Sequence, residues 1–272
     1  MSMAEPQLLL LAVAYGNRAK VRDFCITIRG LYDPEMVHIA VCDNSPDRDG
    51  DFEFASTVAT TRPDNPGYWG GALAALDAYC RHNAVMPEWI AITNTDLDYK
   101  SADMLQVLSS HASSSPLVIA PRITEGMIEK NPHLLAPRPR WRLWVNHLLT
   151  YSTSIAFGYI AASRLRSYVR SKNGGERKKA LAPSGTRMYS PYGALIFFNA
   201  AFVSARPLWP NVPLLAEEWA IAEMAIERLA PVTFEPGIWV RHEPHQTTGT
   251  KVSRRLATML SRAFEFIWET AR

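Results

Sequence analysis

The run Asn94-Thr95-Asp96-Leu97-Asp98 closes an apolar stretch, Trp89-Ile90-Ala91-Ile92-Thr93, that reads as a buried strand. Two carboxylates and an amide at a strand end supply the oxygen ligands that Mg2+ and Mn2+ favour. Such ions commonly bridge one or two protein carboxylates to substrate phosphates, so the run points to nucleotide-linked chemistry. Asn, Thr and Asp also populate turns and helix caps by bonding nearby backbone. Ser101, however, is placed to cap a helix over 102–111, which leaves Asp96 and Asp98 without a capping duty.

The elements that must carry this run alternate. Leu8–Ala14, Val37–Cys42, Ser56–Thr60, Trp89–Thr93 and Leu117–Ala120 read as buried strands, and Ala19–Gly30, Gly71–Asn83 and Ala102–His111 as helices. This alternation implies an α/β fold with a mainly parallel, Rossmann-like sheet covered by helices on both faces. In such sheets ligands bind outside the carboxyl ends of the strands. The polar segments fall at those ends: Tyr15-Gly16-Asn17-Arg18, Asp43-Asn44-Ser45, Arg62 to Gly67, and Asn94 to Asp98. Each is an ordinary turn composition by itself; their joint placement carries the signal. The glycines of Gly67-Tyr68-Trp69-Gly70-Gly71 open a helix, where backbone can approach a ligand and the N-terminus favours phosphate. They follow the third strand and do not form GxGxxG, which disfavours a dinucleotide-binding dehydrogenase.

The net charge of +3 over 272 residues hides an asymmetry. Between Arg138 and Lys179 ten Lys and Arg residues face the single acid Glu176, a net of +9, so the rest of the chain carries −6. A basic block on an acidic body suits an anionic ligand or surface and not general nucleic-acid binding. Cys25, Cys42 and Cys80 lack ligand spacing and are expected to be reduced core residues of a cytoplasmic protein. The first residues, Met-Ser-Met-Ala-Glu-Pro, lack a basic region, so Leu8–Ala14 is expected as a strand and not a secretory signal. No apolar run reaches the ~20 residues of a membrane span.

Beyond Pro121 the pattern breaks at Pro132, Pro137 and Pro139. One or two helices are expected over 141–170, then a loop from Asn173 to Gly185, a strand over Ala194–Phe198 and a helix over Leu215–Leu229. Two short strands near Val232–Phe234 and Trp239–Arg241 follow, with an amphipathic helix over Val252–Trp268. Leu256, Leu260, Ala263, Phe264 and Ile267 share one face of that helix, a stripe of the kind that packs as core, with Arg254, Arg255 and Arg262 elsewhere.

In this order, the segments ending at Tyr15, Asp43-Asn44-Ser45, Asn65 to Gly71, Asn94-Thr95-Asp96, Pro191-Tyr192-Gly193-Ala194, Glu217-Glu218 and His242 resemble family 2 glycosyltransferases of the GT-A fold. Within that family the nearest likeness is to bacterial rhamnosyltransferase-like enzymes of surface polysaccharide. The resemblance covers nearly all of the chain outside roughly residues 125–187. It implies one domain: a nucleotide-sugar-binding half (1–121), a basic aromatic helical insertion (122–187), an acceptor-binding half (188–250) and a C-terminal helix (251–272).

By the same resemblance, Asp43 would bond the nucleotide base with Tyr15 and Asn17 beside it. Asn65, Gly70 and Gly71 would lie along the donor. Either Asn94 with Asp96 or Asp96 with Asp98 would form the DxD-like motif that holds Mg2+ or Mn2+ on the diphosphate. His242, with His245 close in sequence, would reach the metal or diphosphate. Relatives often have an asparagine after the position of Gly71, where this chain has Ala72-Leu73-Ala74.

The resemblance implies inversion by direct displacement, with Glu217-Glu218 supplying the base and Glu218 ranked first. Acids in a first helical turn also complement the macrodipole, by about 0.3–1 kcal/mol, without any catalysis. The acceptor would be a saccharide or lipid-linked saccharide. Trp141, Trp144, Leu148 and Leu149 beside Arg138, Arg140 and Arg142 suit either an anionic membrane interface or a solvated arginine face. Two other classes use similar residues: a non-catalytic sugar-nucleotide-binding or membrane-docking protein, and a sugar-phosphate nucleotidyltransferase. The latter usually has a Gly-rich basic loop after its first strand, where this chain offers only Gly16 and Arg18.

Overall fold

The computed structural model describes residues 6–46, 54–101, 103–111, 113–172, 181–243 and 253–271, with side chains left out over 164–172. The expected loop over 173–180, the chain start at 1–5 and His245 lie outside the described residues.

The described strands form one ten-stranded sheet. Strands β1 (Leu8–Ala14), β2 (Val37–Asp43), β3 (Val58–Thr61) and β4 (Trp89–Thr93) make its parallel half, ordered β3-β2-β1-β4. The other half is mixed. Strand β5 (Leu97–Tyr99) forms the edge, β6 (Val118–Glu125) pairs with the short β7 (Ile128–Glu129), and β8 (Arg187–Met188), β9 (Leu195–Asn199) and β10 (Val232–His242) complete the sheet. The order continues β4-β9-β6-β10-β5, with β9 antiparallel to both β4 and β6 and β10 parallel to β6.

Both faces of the sheet are covered, which is why its strands read as continuous apolar runs. Leu9, Leu11, Ile90, Ile92, Ile196 and Phe198 join the core under α2 (Gly67–His82) and α7 (Glu217–Glu227). Their neighbours Leu8, Leu10, Trp89, Ala91, Leu195 and Phe197 face the core under α1 (Arg18–Leu31) and α3 (Met104–Ser110). Helices α4 (Arg140–Thr150) and α5 (Thr153–Lys172) pack on α8 (Arg254–Thr270), and α6 (Ala200–Ala205) follows β9.

Several expectations change. Ser101 does not cap α3: the N-cap is Asp103, while Ser101 Oγ accepts the Trp239 N–H at 2.7 Å and its carbonyl accepts the Tyr32 hydroxyl at 3.0 Å. The two late strands are one, β10, with a register shift between Glu235 and Trp239. Pro236 has no N–H for the ladder, and the Gly237 N–H turns to Glu235 Oε1 at 2.8 Å, so the strand bulges and continues. β6 runs five residues past Ala120 because Arg122–Thr124 pair with Trp239–Arg241 of β10 and Thr124–Glu125 with β7, while Asn131 Nδ2 satisfies the Pro121 carbonyl at 2.8 Å. Cys25 and Cys42 are buried, but Cys80 is exposed on α2. Among the described residues no helix is long and apolar enough to cross a membrane.

Candidate active site

The carboxyl ends of β1, β2, β3 and β4 open on a cavity of about 840 Å³. From β1 come Tyr15 and Asn17, whose Oδ1 accepts the Tyr15 N–H at 2.8 Å. From the turn after β2 comes Asn44, with its backbone N–H on Ala14 O and its Nδ2 on Gly67 O, at 2.8 and 2.9 Å. Asn65, held at φ 47, Pro66, Gly67 and Tyr68 aim the N-terminus of α2 at the same space. Asn94, Thr95 and Asp96 follow β4.

The opposite wall arrives by a different route. Because β9 runs antiparallel to β4, its start faces the end of β4, and the Asn94 N–H donates to Ala194 O at 2.8 Å. Tyr192, Gly193 and Ala194 therefore line the cavity, joined by Glu217 and Glu218 from the first turn of α7. Arg255, Met259 and Arg262, at helical spacing on α8, close it. The Arg255 guanidinium lies 5.5 Å from the Tyr15 ring centre.

The acidic pair is split by its surroundings. Glu218 Oε1 accepts the Gly193 N–H at 2.7 Å, its Oε2 is 3.3 Å from His133 Nε2, and its side chain is 32% exposed. Glu217 is buried and its Oε1 has no hydrogen-bond partner. Burial is the main cause that raises its carboxyl to about 7, with the Glu218 charge adding to it against two backbone hydrogen bonds. Nearby, the Tyr68 hydroxyl is also buried without a partner, and burial, Glu217 and Asp96 together hold its pKa well above the ordinary tyrosine value.

Asp96 Oδ1 is buried and makes no hydrogen bond, its contact being an ion pair with His242 Nε2 at 3.3 Å. His242 is fixed from the other side, its Nδ1 2.9 Å from Glu125 Oε1. Burial alone would lower the His242 pKa, but Asp96 and Glu125 outweigh it and raise it to about 9. Glu125 is held down at about 2: burial opposes this, and bonds from His242, Lys130 and the Tyr192 hydroxyl overcome it.

Not every predicted residue reaches the cavity. Asp98 enters β5 opposite Arg241 and pairs with Arg241 and Lys100, outside the cavity wall. Asp43 is spent on Arg18 Nε at 2.5 Å and the Ser45 N–H at 3.0 Å. Gly70 and Gly71 sit inside α2, where Gly71 lets the helix close on the sheet: a Cβ there would meet Asn44 Nδ2 at 2.8 Å and Val13 at 2.9 Å. Asn44, Tyr68, Glu125, His133, Tyr192, Arg255 and Arg262 were absent from the predicted site. Glu125 and His133 carry no periodic signal in the sequence; Asn44 and Tyr192 stood inside segments already singled out.

The donor set fits a hard divalent cation. Among the described residues no cluster of three or more His, Cys, Asp or Glu is arranged for a metal. Mg2+ and Mn2+ in nucleotide sites, however, need few protein ligands and complete their shell with phosphate and water. Asp96 Oδ1, without a hydrogen bond, offers one such ligand, and His242 Nε2 would join it on losing the proton that Asp96 and Glu125 favour there.

No family model and no curated protein matches this chain. Solved structures match its fold. The chain aligns over 98% of its length with S. aureus TarS, a glycosyltransferase, at 9% identity and TM-score 0.52, while spanning 44% of that chain. It aligns equally fully with a TarS 1–349 structure in complex with UDP, at 9% identity, TM-score 0.50 and 73% of that chain. The mannosyltransferase PcManGT from Pyrobaculum calidifontis, solved with GDP-Man and Mn2+, matches at 11% identity, TM-score 0.50 and 71% of that chain. The chain thus shares the α/β fold of these solved structures.

Proposed function

We propose that this protein transfers a sugar from a nucleoside-diphosphate donor to a hydroxyl group of a saccharide or lipid-linked saccharide, with inversion at the anomeric carbon. The supporting observation is the polarity of one cavity. Oxygens of Tyr68, Asp96 and Glu217 are buried there without hydrogen bonds, while Arg255, Arg262 and Lys20 line it with no carboxylate partner among the described residues. Buried polar atoms without partners are rare, and their convergence with unpaired cations suits a ligand that carries both hydroxyls and phosphates.

In this reading Tyr15, Asn17 and Asn44 hold the nucleoside, and the diphosphate lies between the N-terminus of α2 and the two arginines of α8. Asp96 and His242 would hold Mg2+ or Mn2+, which when bound offsets negative charge on the diphosphate. Glu218 is the base, because of the two acids it is the more exposed one and the Gly193 N–H orients it. It takes the acceptor proton as that oxygen attacks the anomeric carbon. The bond to the nucleoside diphosphate breaks on the opposite face, and its electron pair leaves on the diphosphate oxygen. The sequence resemblance favours a bacterial surface polysaccharide or glycolipid as the product.

The test is a thermal-shift screen of nucleotide sugars with and without Mn2+, then a transfer and hydrolysis assay. A donor present at about 100 times its Kd should stabilise by about 2.7 kcal/mol. Asp96→Ala should abolish turnover, and Arg255→Ala with Arg262→Ala should weaken donor binding about tenfold or more. If no nucleotide sugar raises the melting temperature, the proposal fails; binding without turnover under any acceptor would favour the non-catalytic reading.

A further inference from the structure

We propose that the outer face of α4 and the start of α5 docks on the surface of an anionic lipid bilayer. The two sides of α4 differ. Its inner side, Leu143, His147 and Thr150, is covered: Leu143 and Thr150 are buried, and the His147 ring stacks on Trp268 of α8 at 6.1 Å between centres. Its outer side presents Trp141 and Trp144, 62% and 49% exposed, with Leu148 and Leu149 beyond them. The connection and first turns of α5 extend the patch with Tyr151, 74% exposed, Ile155 and Phe157. Seven of the eighteen exposed large apolar side chains among the described residues thus fall within residues 141–157. Such a concentration of exposed apolar side chains on one short stretch of chain marks an interaction surface.

Charge and side-chain type select the partner. Residues 130–175 contain no Asp or Glu. Arg138, Arg140 and Arg142 flank Trp141 in sequence; the Arg142 guanidinium lies 5.2 Å from the Trp141 ring centre, while that of Arg140 turns to Trp268 of α8 at 5.6 Å. Arginines beside Trp and Tyr at the edge of an apolar face match a lipid headgroup layer, where the rings take the boundary and the guanidiniums meet phosphates. A second copy of the chain fits less well, since a two-fold contact would press like charges together with no acid to pair them.

The patch lies one helix layer from the cavity. Ala156 and Ile160 pack on Ala257 of α8, and α8 carries Arg255 and Arg262 to the cavity. Packed helices lie about 8–10 Å apart, so docking would hold the cavity beside the lipid surface. The docking proposal stands without any assumption about the donor.

The experiment is co-sedimentation of the full chain with phosphatidylcholine vesicles, plain or containing about 30% phosphatidylglycerol, at about 0.1 M and about 1 M salt. Binding is expected only to the anionic vesicles at the lower salt. Arg138→Gln and Arg142→Gln should each weaken it about fivefold. Trp141→Ser with Trp144→Ser should reduce it to background at unchanged circular dichroism and melting temperature. On the wild-type chain, brominated lipids should quench tryptophan fluorescence. The proposal is overturned if the wild type stays in the supernatant, if brominated lipids leave the fluorescence unchanged, or if sedimentation velocity shows a dimer that Trp144→Ser dissolves.

Discussion

Glu217 and Glu218 are adjacent carboxylates with different fates, and their first test is to separate them. Glu218→Gln keeps the hydrogen-bonded shape beside Gly193 but cannot take a proton. It is expected to lower kcat by about 10²–10⁴-fold with donor affinity retained, measured by steady-state transfer and by thermal shift. Glu217 is expected to show in stability. Its folded pKa of about 7 lies above the ordinary 4.5, so its contribution is fully present below about 4.5 and is lost as pH rises through 7. From below 4.5 to well above 7, denaturant titrations of Glu217→Gln should therefore gain about 2–3 kcal/mol on those of the wild type. A flat difference across that range would mean Glu217 is not buried as described. Among the predicted residues that line the cavity, Tyr15, Asn17, Asn94 and Asp96 are polar residues just after a buried strand. The sequence misled at Asp98, since nothing in a run of alternating Asp residues announces that the chain resumes as β5 and turns that carboxylate toward Arg241. Glu125 and His133 were invisible because they meet His242 and Glu218, side chains more than eighty residues away in sequence.

Elements decide how closely the walls approach. α2 begins at the cavity and then packs on the sheet, and at Gly71 it lies tight against Val13 of β1 and Asn44. Gly71→Ala would place a Cβ 2.8 Å from Asn44 Nδ2 and 2.9 Å from Val13, so a neighbour must shift, and moving Asn44 strains its Nδ2 bond to Gly67 O. We expect a loss of about 1–3 kcal/mol in urea unfolding, together with weaker donor binding because Asn44 is displaced from the cavity wall. The paired glycines were legible as a helix start near a ligand; that they act through packing depends on the register of α2 against β1, which single-chain spacing does not contain. The break in β10 was misread for a related reason. Pro236-Gly237 has the composition of a turn, and only the parallel partner β6 on its flank makes it a bulge within one strand. The amphipathic period of α8 was plain, including the apolar stripe, but the cavity under its arginines was not, because a helical period shows a charged face without showing what lies opposite.

At the scale of the molecule, the parallel half of the sheet was readable because consecutive strands alternate with helices and pair as neighbours. The other half was not, because β9 inserts between β4 and β6 from about a hundred residues further along the chain. That central strand has a consequence for biosynthesis. Until residue 199 is made, β4 presents an open edge at the middle of the future sheet, with Ile90 and Ile92 on one side and Trp89 and Ala91 on the other. At about 5–20 residues per second, that edge waits roughly 5–20 s for its partner. Ribosome-stalled chains ending near residue 187 should be cleaved readily by protease and should recruit chaperones, whereas chains extended past α6 should resist. Early resistance of the shorter chains would show that the parallel half folds alone. For this protein the ribosome makes β5 to β8 before the strand that joins the two halves, and β10 later still, which leaves the unpaired β4 edge exposed to mispairing with a second nascent chain.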